Sequence, residues 1–184
     1  MKLKLISLLA LAVIVLAAAG GSIAYFTVTA TAQNVVSAGN VRMALHDEGS
    51  GGAAFSEEAL NGMMPGDTAD KIVYVENTGD NAFYTRIRLT VSARSVGGDA
   101  LGTEIIAFNI DTANWQPGTD GWYYYTSAVD KGAQTVPLFT EVSVAPETGN
   151  GYMDADVSIQ VLAQAVQKDN NGVTVWQAAG WPAE

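Results

Sequence analysis

The chain contains no cysteine, a single histidine and few basic residues. The missing cysteines exclude a disulfide scaffold, a thiolate zinc site, an iron–sulfur cluster and a cysteine nucleophile. With His46 alone, no site that needs two imidazoles from one chain can form. Nine Lys and Arg face 19 Asp and Glu, a net charge of −10, and nucleic-acid phosphates would be repelled by such a surface. Charged residues make up only 15% of the 184, and glycines number 19, a balance that suits a loop-rich β protein better than a charged helical bundle. Among apolar runs, Leu5 to Ala19 is the longest and falls short of the roughly 20 residues of a spanning helix.

That run has the marks of an export signal. Lys2 and Lys4 precede it, and the small residues Gly20-Gly21-Ser22-Ile23-Ala24 follow it. A positive start, an apolar centre and a small-x-small end define a secretory signal peptide, helical in its apolar part. Ser22 and Ala24 supply the small side chains, so cleavage is expected between Ala24 and Tyr25. One alternative keeps the segment as an uncleaved anchor extending through Phe26. Either way the two lysines hold the N-terminus in the cytoplasm and the rest is exported. Removing residues 1–24 leaves seven basic residues against the same 19 acids, a charge of −12 over 160 residues. A chain of that size buries roughly 70% of its unfolded surface and folds without disulfides.

Beyond the signal, apolar residues recur at every second position, the period of a half-buried strand. Phe26, Val28, Ala30 and Ala32 alternate with threonines, and Val41, Met43 and Leu45 open a second alternation after Ser37-Ala38-Gly39. Residues 46–62 read as a loop, with one helical turn at Ser56–Leu60 capped by Ser56. Met64-Pro65-Gly66-Asp67 is a turn. Residues 70–93 read as one antiparallel hairpin about Asn77-Thr78-Gly79-Asp80. Thr103–Phe108 fits a short helix or a strand. Leu138, Thr140, Val142 and Val144 alternate. Val157, Ile159, Val161, Ala163 and Ala165 form the last long strand, opposite Ser158, Gln160, Gln164 and Gln167. Seven to nine strands predict an all-β fold, a two-sheet antiparallel sandwich of jelly-roll or Greek-key type. The expected organisation is a signal peptide at 1–24, an N-terminal strand at 25–36 and a sandwich domain at 37–184.

The stretch Gly20-Gly21-Ser22-Ile23-Ala24-Tyr25-Phe26, followed by Ser37-Ala38-Gly39-Asn40-Val41, resembles the start of the TasA/camelysin family. The similarity continues through Met64-Pro65-Gly66-Asp67-Thr68, Asn77-Thr78-Gly79-Asp80, Asp120-Gly121-Trp122-Tyr123-Tyr124-Tyr125, Pro137-Leu138-Phe139 and Ala163-Gln164-Ala165-Val166-Gln167 ahead of Trp176. The resemblance implies export through the dedicated signal peptidase SipW and a jelly-roll subunit of extracellular biofilm-matrix fibres from a Gram-positive bacterium. It also implies that the subunit is a head-to-tail homopolymer, with other matrix proteins as further partners. In such fibres the N-terminal strand of one subunit completes the sheet of the next.

Signal cleavage supplies a physical route to that assembly. It frees Tyr25 to Val36, whose row Phe26, Val28, Ala30 and Ala32 suits an apolar groove while the main chain pairs with an open sheet edge. Donation from each subunit to the next is head-to-tail and does not close, so it builds a filament. The alternative is that the strand folds back into its own sheet.

The resemblance also raises a camelysin-like metallopeptidase, but a protein zinc site usually wants three or four His, Cys, Asp or Glu ligands. His46-Asp47-Glu48 contains the only histidine, HExxH is absent, and no GxSxG elbow occurs. The expectation is a non-enzyme without a cofactor, with His46 a strand-end surface residue. A monomeric cell-surface binding module is the remaining alternative to a fibre subunit. Asp154 and Asp156 are the one weak calcium candidate, with solvated turn acids the commoner outcome. Lys168-Asp169-Asn170-Asn171-Gly172 lacks the alternating ligands of a calcium loop and reads as a hairpin turn. Along Trp122-Tyr123-Tyr124-Tyr125, an imaginable carbohydrate platform, alternation sends Trp122 and Tyr124 to one face and Tyr123 and Tyr125 to the other. One pair is expected in the core and the other at an interface.

Overall fold

The computed structural model describes residues 27–31, 36–38, 41–60, 63–149, 152 and 155–182. Eleven strands run through them: β1 (Thr27–Thr31), β2 (Val36–Ala38), β3 (Val41–Glu48), β4 (Thr68–Asn77), β5 (Phe83–Arg94), β6 (Ala100–Leu101), β7 (Ile106–Phe108), β8 (Trp115–Pro117), β9 (Tyr123–Tyr125), β10 (Phe139–Val144) and β11 (Asp156–Gln167). They form two antiparallel sheets. The first has the order β1-β11-β5-β9-β8 with β6 beside β5, and the second has the order β2-β3-β4-β10-β7. The all-β, two-sheet expectation therefore stands. The strand count exceeds the expected seven to nine because β2, β6, β7, β8 and β9 are two- or three-residue pieces too short to show a period.

The core lies between the sheets and follows the period of two. Val41 and Met43 on β3, Val73 and Val75 on β4, Phe83 and Ile87 on β5, and Val161, Ala163 and Ala165 on β11 are all buried together. Trp115, Val129, Leu138 and Phe139 complete that cluster, with Tyr123 and Tyr125 packed against it. Each Val or Phe so enclosed contributes about 1.5–3 kcal/mol of transfer free energy. Residues 64–67 turn as expected, Asp67 N–H donating to the Met64 carbonyl (2.9 Å) while Gly66 takes φ +89°. The expected helical turn is a short 3-10 helix at Glu57–Leu60, with the Ser56 hydroxyl accepting from Glu58 N–H at 3.3 Å. Residues 106–108 are strand, which decides between the two readings of Thr103–Phe108.

Residues 70–93 do not form a hairpin. β4 belongs to the second sheet and β5 to the first, so the Asn77–Asp80 connection is an arch that crosses the sandwich. Asn77 is the reason. It is fully buried, its Nδ2 donates to the carbonyls of Asn81 and Val129 (both 2.9 Å), and its Oδ1 accepts from Gly79 N–H at 2.9 Å. Residues 129–138 bind both strands that the arch connects. Val129 exchanges both backbone hydrogen bonds with Phe83, while Thr135 and Leu138 donate to Val75 and Val73. With β3 and β10 on either side of β4, and β11 and β9 on either side of β5, no edge remains for β4 and β5 to share.

A second correction concerns the outward side of the first sheet. Gln164, expected to face solvent, is 2% exposed, and Val166, Tyr84 and Arg86 are also buried. After β11 the chain turns through 168–171, Asn171 N–H donating to the Lys168 carbonyl, and lays residues 172–182 across that face. Thus Lys168–Gly172 is a turn but not a hairpin, because the segment that follows packs on the sheet instead of pairing with β11. Gly172 fits there since a Cβ would lie 2.5 Å from the Gln177 backbone.

Candidate assembly interface

β1 pairs antiparallel with β11 over its whole length, from Thr27 opposite Val166 to Thr31 opposite Leu162. Val28 stands opposite Ala165 and Ala30 opposite Ala163, the two fully buried alanines of the inner row. β1 is the terminal strand of its sheet among the described residues. β2 pairs with β3 at the edge of the other sheet, Val36 opposite Met43 and Ala38 opposite Val41. β1 also lies against β2 and β3. The N-terminal arm therefore closes one side of the sandwich, one strand per sheet. The expected boundary between residues 36 and 37 falls inside β2.

The cleavage residues Ser22, Ala24 and Tyr25, the row members Phe26 and Ala32, and the calcium candidate Asp154 lie outside the described residues. Asp156 opens β11, exposed, directly across from Arg94 of β5.

The outward face of the first sheet carries an Arg–aromatic stack that sequence reading missed. The Arg86 guanidinium sits 4.3 Å from the Trp122 ring centre and 4.5 Å from that of Trp181. Its Nε and Nη2 donate to Gln164 Oε1 (3.1 and 2.8 Å), and Nη1 donates to the Tyr124 hydroxyl at 2.8 Å and to Asp120 Oδ2 at 3.3 Å. The Tyr124 hydroxyl in turn donates to Asp120 Oδ2 at 2.7 Å. Burial works to raise the Asp120 pKa, but the bonds from Tyr124 and the Trp122 backbone, with the charge of Arg86, hold it below the ordinary carboxylate value. Trp122 is 1% exposed and Tyr124 is buried beside it, so this pair is neither a sugar platform nor a free interface. The other pair, Tyr123 and Tyr125, packs on the core as alternation allows.

His46 lies on the outer side of β3, not at a strand end. Its ring stacks on Tyr74 at 4.4 Å, with Nε2 2.9 Å from Glu76 and Nδ1 3.3 Å from Glu48. Both ring nitrogens are thus engaged by carboxylates. Among the described residues no group of three or more His, Asp or Glu side chains is gathered so as to hold a metal ion, and no helix is long and apolar enough to cross a membrane.

Inside the sandwich lies one charged pair. Lys71 on β4 and Asp47 on β3 continue the inner rows of Val73 and Val75 and of Met43 and Leu45 into the end of the core. Their side chains are 1% and 7% exposed, and Lys71 Nζ donates to both Asp47 oxygens, at 2.6 and 2.7 Å. The Phe55 ring covers the same nitrogen at 3.7 Å. Asp47 falls in the expected 46–62 loop, but β3 continues through Glu48 and carries the alternation of Met43 and Leu45 on to it. The meeting of the two residues depends on the β3–β4 register.

No protein-family model, no curated protein and no solved structure matches this chain.

Proposed function

We propose that this protein is an exported structural subunit of extracellular, biofilm-type fibres, joined head-to-tail by donation of its N-terminal strand. In that proposal residues 1–24 are the export signal, removed by a dedicated signal peptidase, and the sandwich is jelly-roll-like. The observation that carries it is β1. This five-residue strand ahead of the body of the sandwich pairs with β11 of its own chain, as the fold-back alternative has it, and so occupies a sheet edge that the same strand of another copy could take.

The β11 edge is then the acceptor. If β1 of one subunit takes the place of β1 on the next, every backbone bond broken in the monomer is remade between chains, as in a domain swap. Bonds worth about 0.5–1.5 kcal/mol each cancel in such an exchange, so subunit concentration decides between closed monomer and open polymer. The motif resemblance to the TasA/camelysin family points the same way. An acidic mature surface fits a subunit whose copies should meet only through a directed strand.

Negative-stain microscopy of residues 25–184, beside the same protein beginning at Val36, tests the proposal. Filaments from the first and none from the second are expected. Soluble monomers from both at high concentration would instead point to a monomeric surface module.

A further inference from the structure

We propose that Lys71 and Asp47 condense into an intramolecular isopeptide bond that cross-links β4 to β3. The inference stands on the interior of the sandwich and holds whether or not the chain forms fibres.

The two groups are already in contact. Donation to both carboxyl oxygens at 2.6 and 2.7 Å puts Nζ about 3 Å from the carboxyl carbon, in the carboxyl plane, so attack needs only a rotation of the carboxyl group that turns its face to the nitrogen. Each partner is held by a strand, and the two strands are fixed by the pairing of Asp47 with Val73 and of Glu48 with Ile72. The Phe55 ring over Nζ keeps water from the nitrogen.

In water, condensation of an amine with a carboxylic acid is opposed because the ionised forms are better solvated. Here burial is the largest influence on both groups, pushing the Asp47 carboxyl up and the Lys71 ammonium down against their mutual hydrogen bond. Both directions favour the neutral acid and the free amine. An ion pair kept at this depth is a poor source of stability, since its desolvation offsets its attraction. An amide carries no net charge and removes that cost.

The step balances without any added reagent. The Lys71 nitrogen lone pair attacks the carboxyl carbon of protonated Asp47, forming the C–N bond. A proton leaves the nitrogen as the carboxyl hydroxyl departs with one, the C–O bond breaks, and one water is released. The proton lost by the nitrogen passes to the departing hydroxyl, so water leaves and no other group changes its protonation.

Peptide mapping of the full chain after denaturation and proteolysis decides the matter. The expected result is a branched species in which the peptide bearing Asp47 is joined to the one bearing Lys71, lighter than their sum by one water. Lys71→Arg keeps a cation beside Asp47 but lacks the amine nucleophile, so it should give the two peptides separately. A folded wild-type protein whose two peptides remain separate at full mass after prolonged incubation overturns the proposal.

Discussion

The guanidinium of Arg86 sits against two indoles, 4.3 Å from the Trp122 ring centre and 4.5 Å from that of Trp181, while its nitrogens bond Gln164, Tyr124 and Asp120. Three segments distant in sequence, β5, the 120–125 stretch and the C-terminal residues, are held at that one side chain. Arg86→Ala leaves the 2%-exposed Gln164 amide oxygen without its donor. A loss of about 2–4 kcal/mol is expected, combining charged hydrogen bonds with the cation–π contact. Urea unfolding followed by tryptophan fluorescence measures it.

Asp120 gives the same cluster a pH dependence. Its carboxyl titrates below the ordinary value of about 3.9 in the folded protein, so its stabilisation is present above that value. It is lost as pH falls through the lower folded pKa. Asp120→Asn should therefore be less stable than wild type at neutral pH, with the gap closing in strong acid. Thermal melts of both proteins between neutral and strongly acidic pH would show this. A gap of constant size would mean that Asp120 acts without its charge.

Asn77→Ala should destabilise the arch between the sheets. It deprives the Asn81 carbonyl of a donor and the buried Gly79 N–H of its acceptor, while the Val129 carbonyl keeps its bond from Phe83 N–H. Groups left unsatisfied in the interior cost about 1–3 kcal/mol each. A total of about 2–4 kcal/mol is expected from denaturant unfolding, after partial hydration of the half-buried Asn81 side of the turn.

The absence of cysteine makes the partner of β1 directly readable. Val28 and Ala165 stand opposite each other, and directly opposed antiparallel residues have Cα atoms about 4.5–5.5 Å apart, within disulfide range. The double variant Val28→Cys, Ala165→Cys should run as an oxidised single chain when monomeric. In filaments it should give a ladder of multimers on a non-reducing gel. Filaments that yield only single chains would mean that β1 stays in its own sheet while another surface joins the subunits.

Val28→Asp tests the same groove chemically. In register, position 28 stands opposite the fully buried Ala165, and a carboxylate placed in an apolar groove costs several kcal/mol unless it is neutralised or paired. Assembly at the wild-type critical concentration would sink the donor-strand proposal.

Local pattern was sufficient for the strands that alternate cleanly. Val41 to Leu45 and Val157 to Ala165 appear where period two puts them, and the Pro65-Gly66 turn needs only a residue that accepts φ +89°. These outcomes depend on a residue and its near neighbours in the chain, so composition and spacing carry them. The all-β class follows from the same source.

Partnership was beyond that reach. Two alternating runs around a turn look alike whether they pair with each other or cross between sheets, and the buried Asn77 bonds with Val129 chose the arch. Gln164 and Arg86 occupy outward positions that spacing assigns to solvent, yet residues 172–182 return to cover them. Local pattern puts Asp47 in a loop, and only the continuation of β3 to Glu48 and the β3–β4 register bring it into contact with Lys71. Alternation along a strand sets which way a side chain points. What it meets there is decided by chain segments tens of residues away, through contacts that exist only once the sandwich has closed.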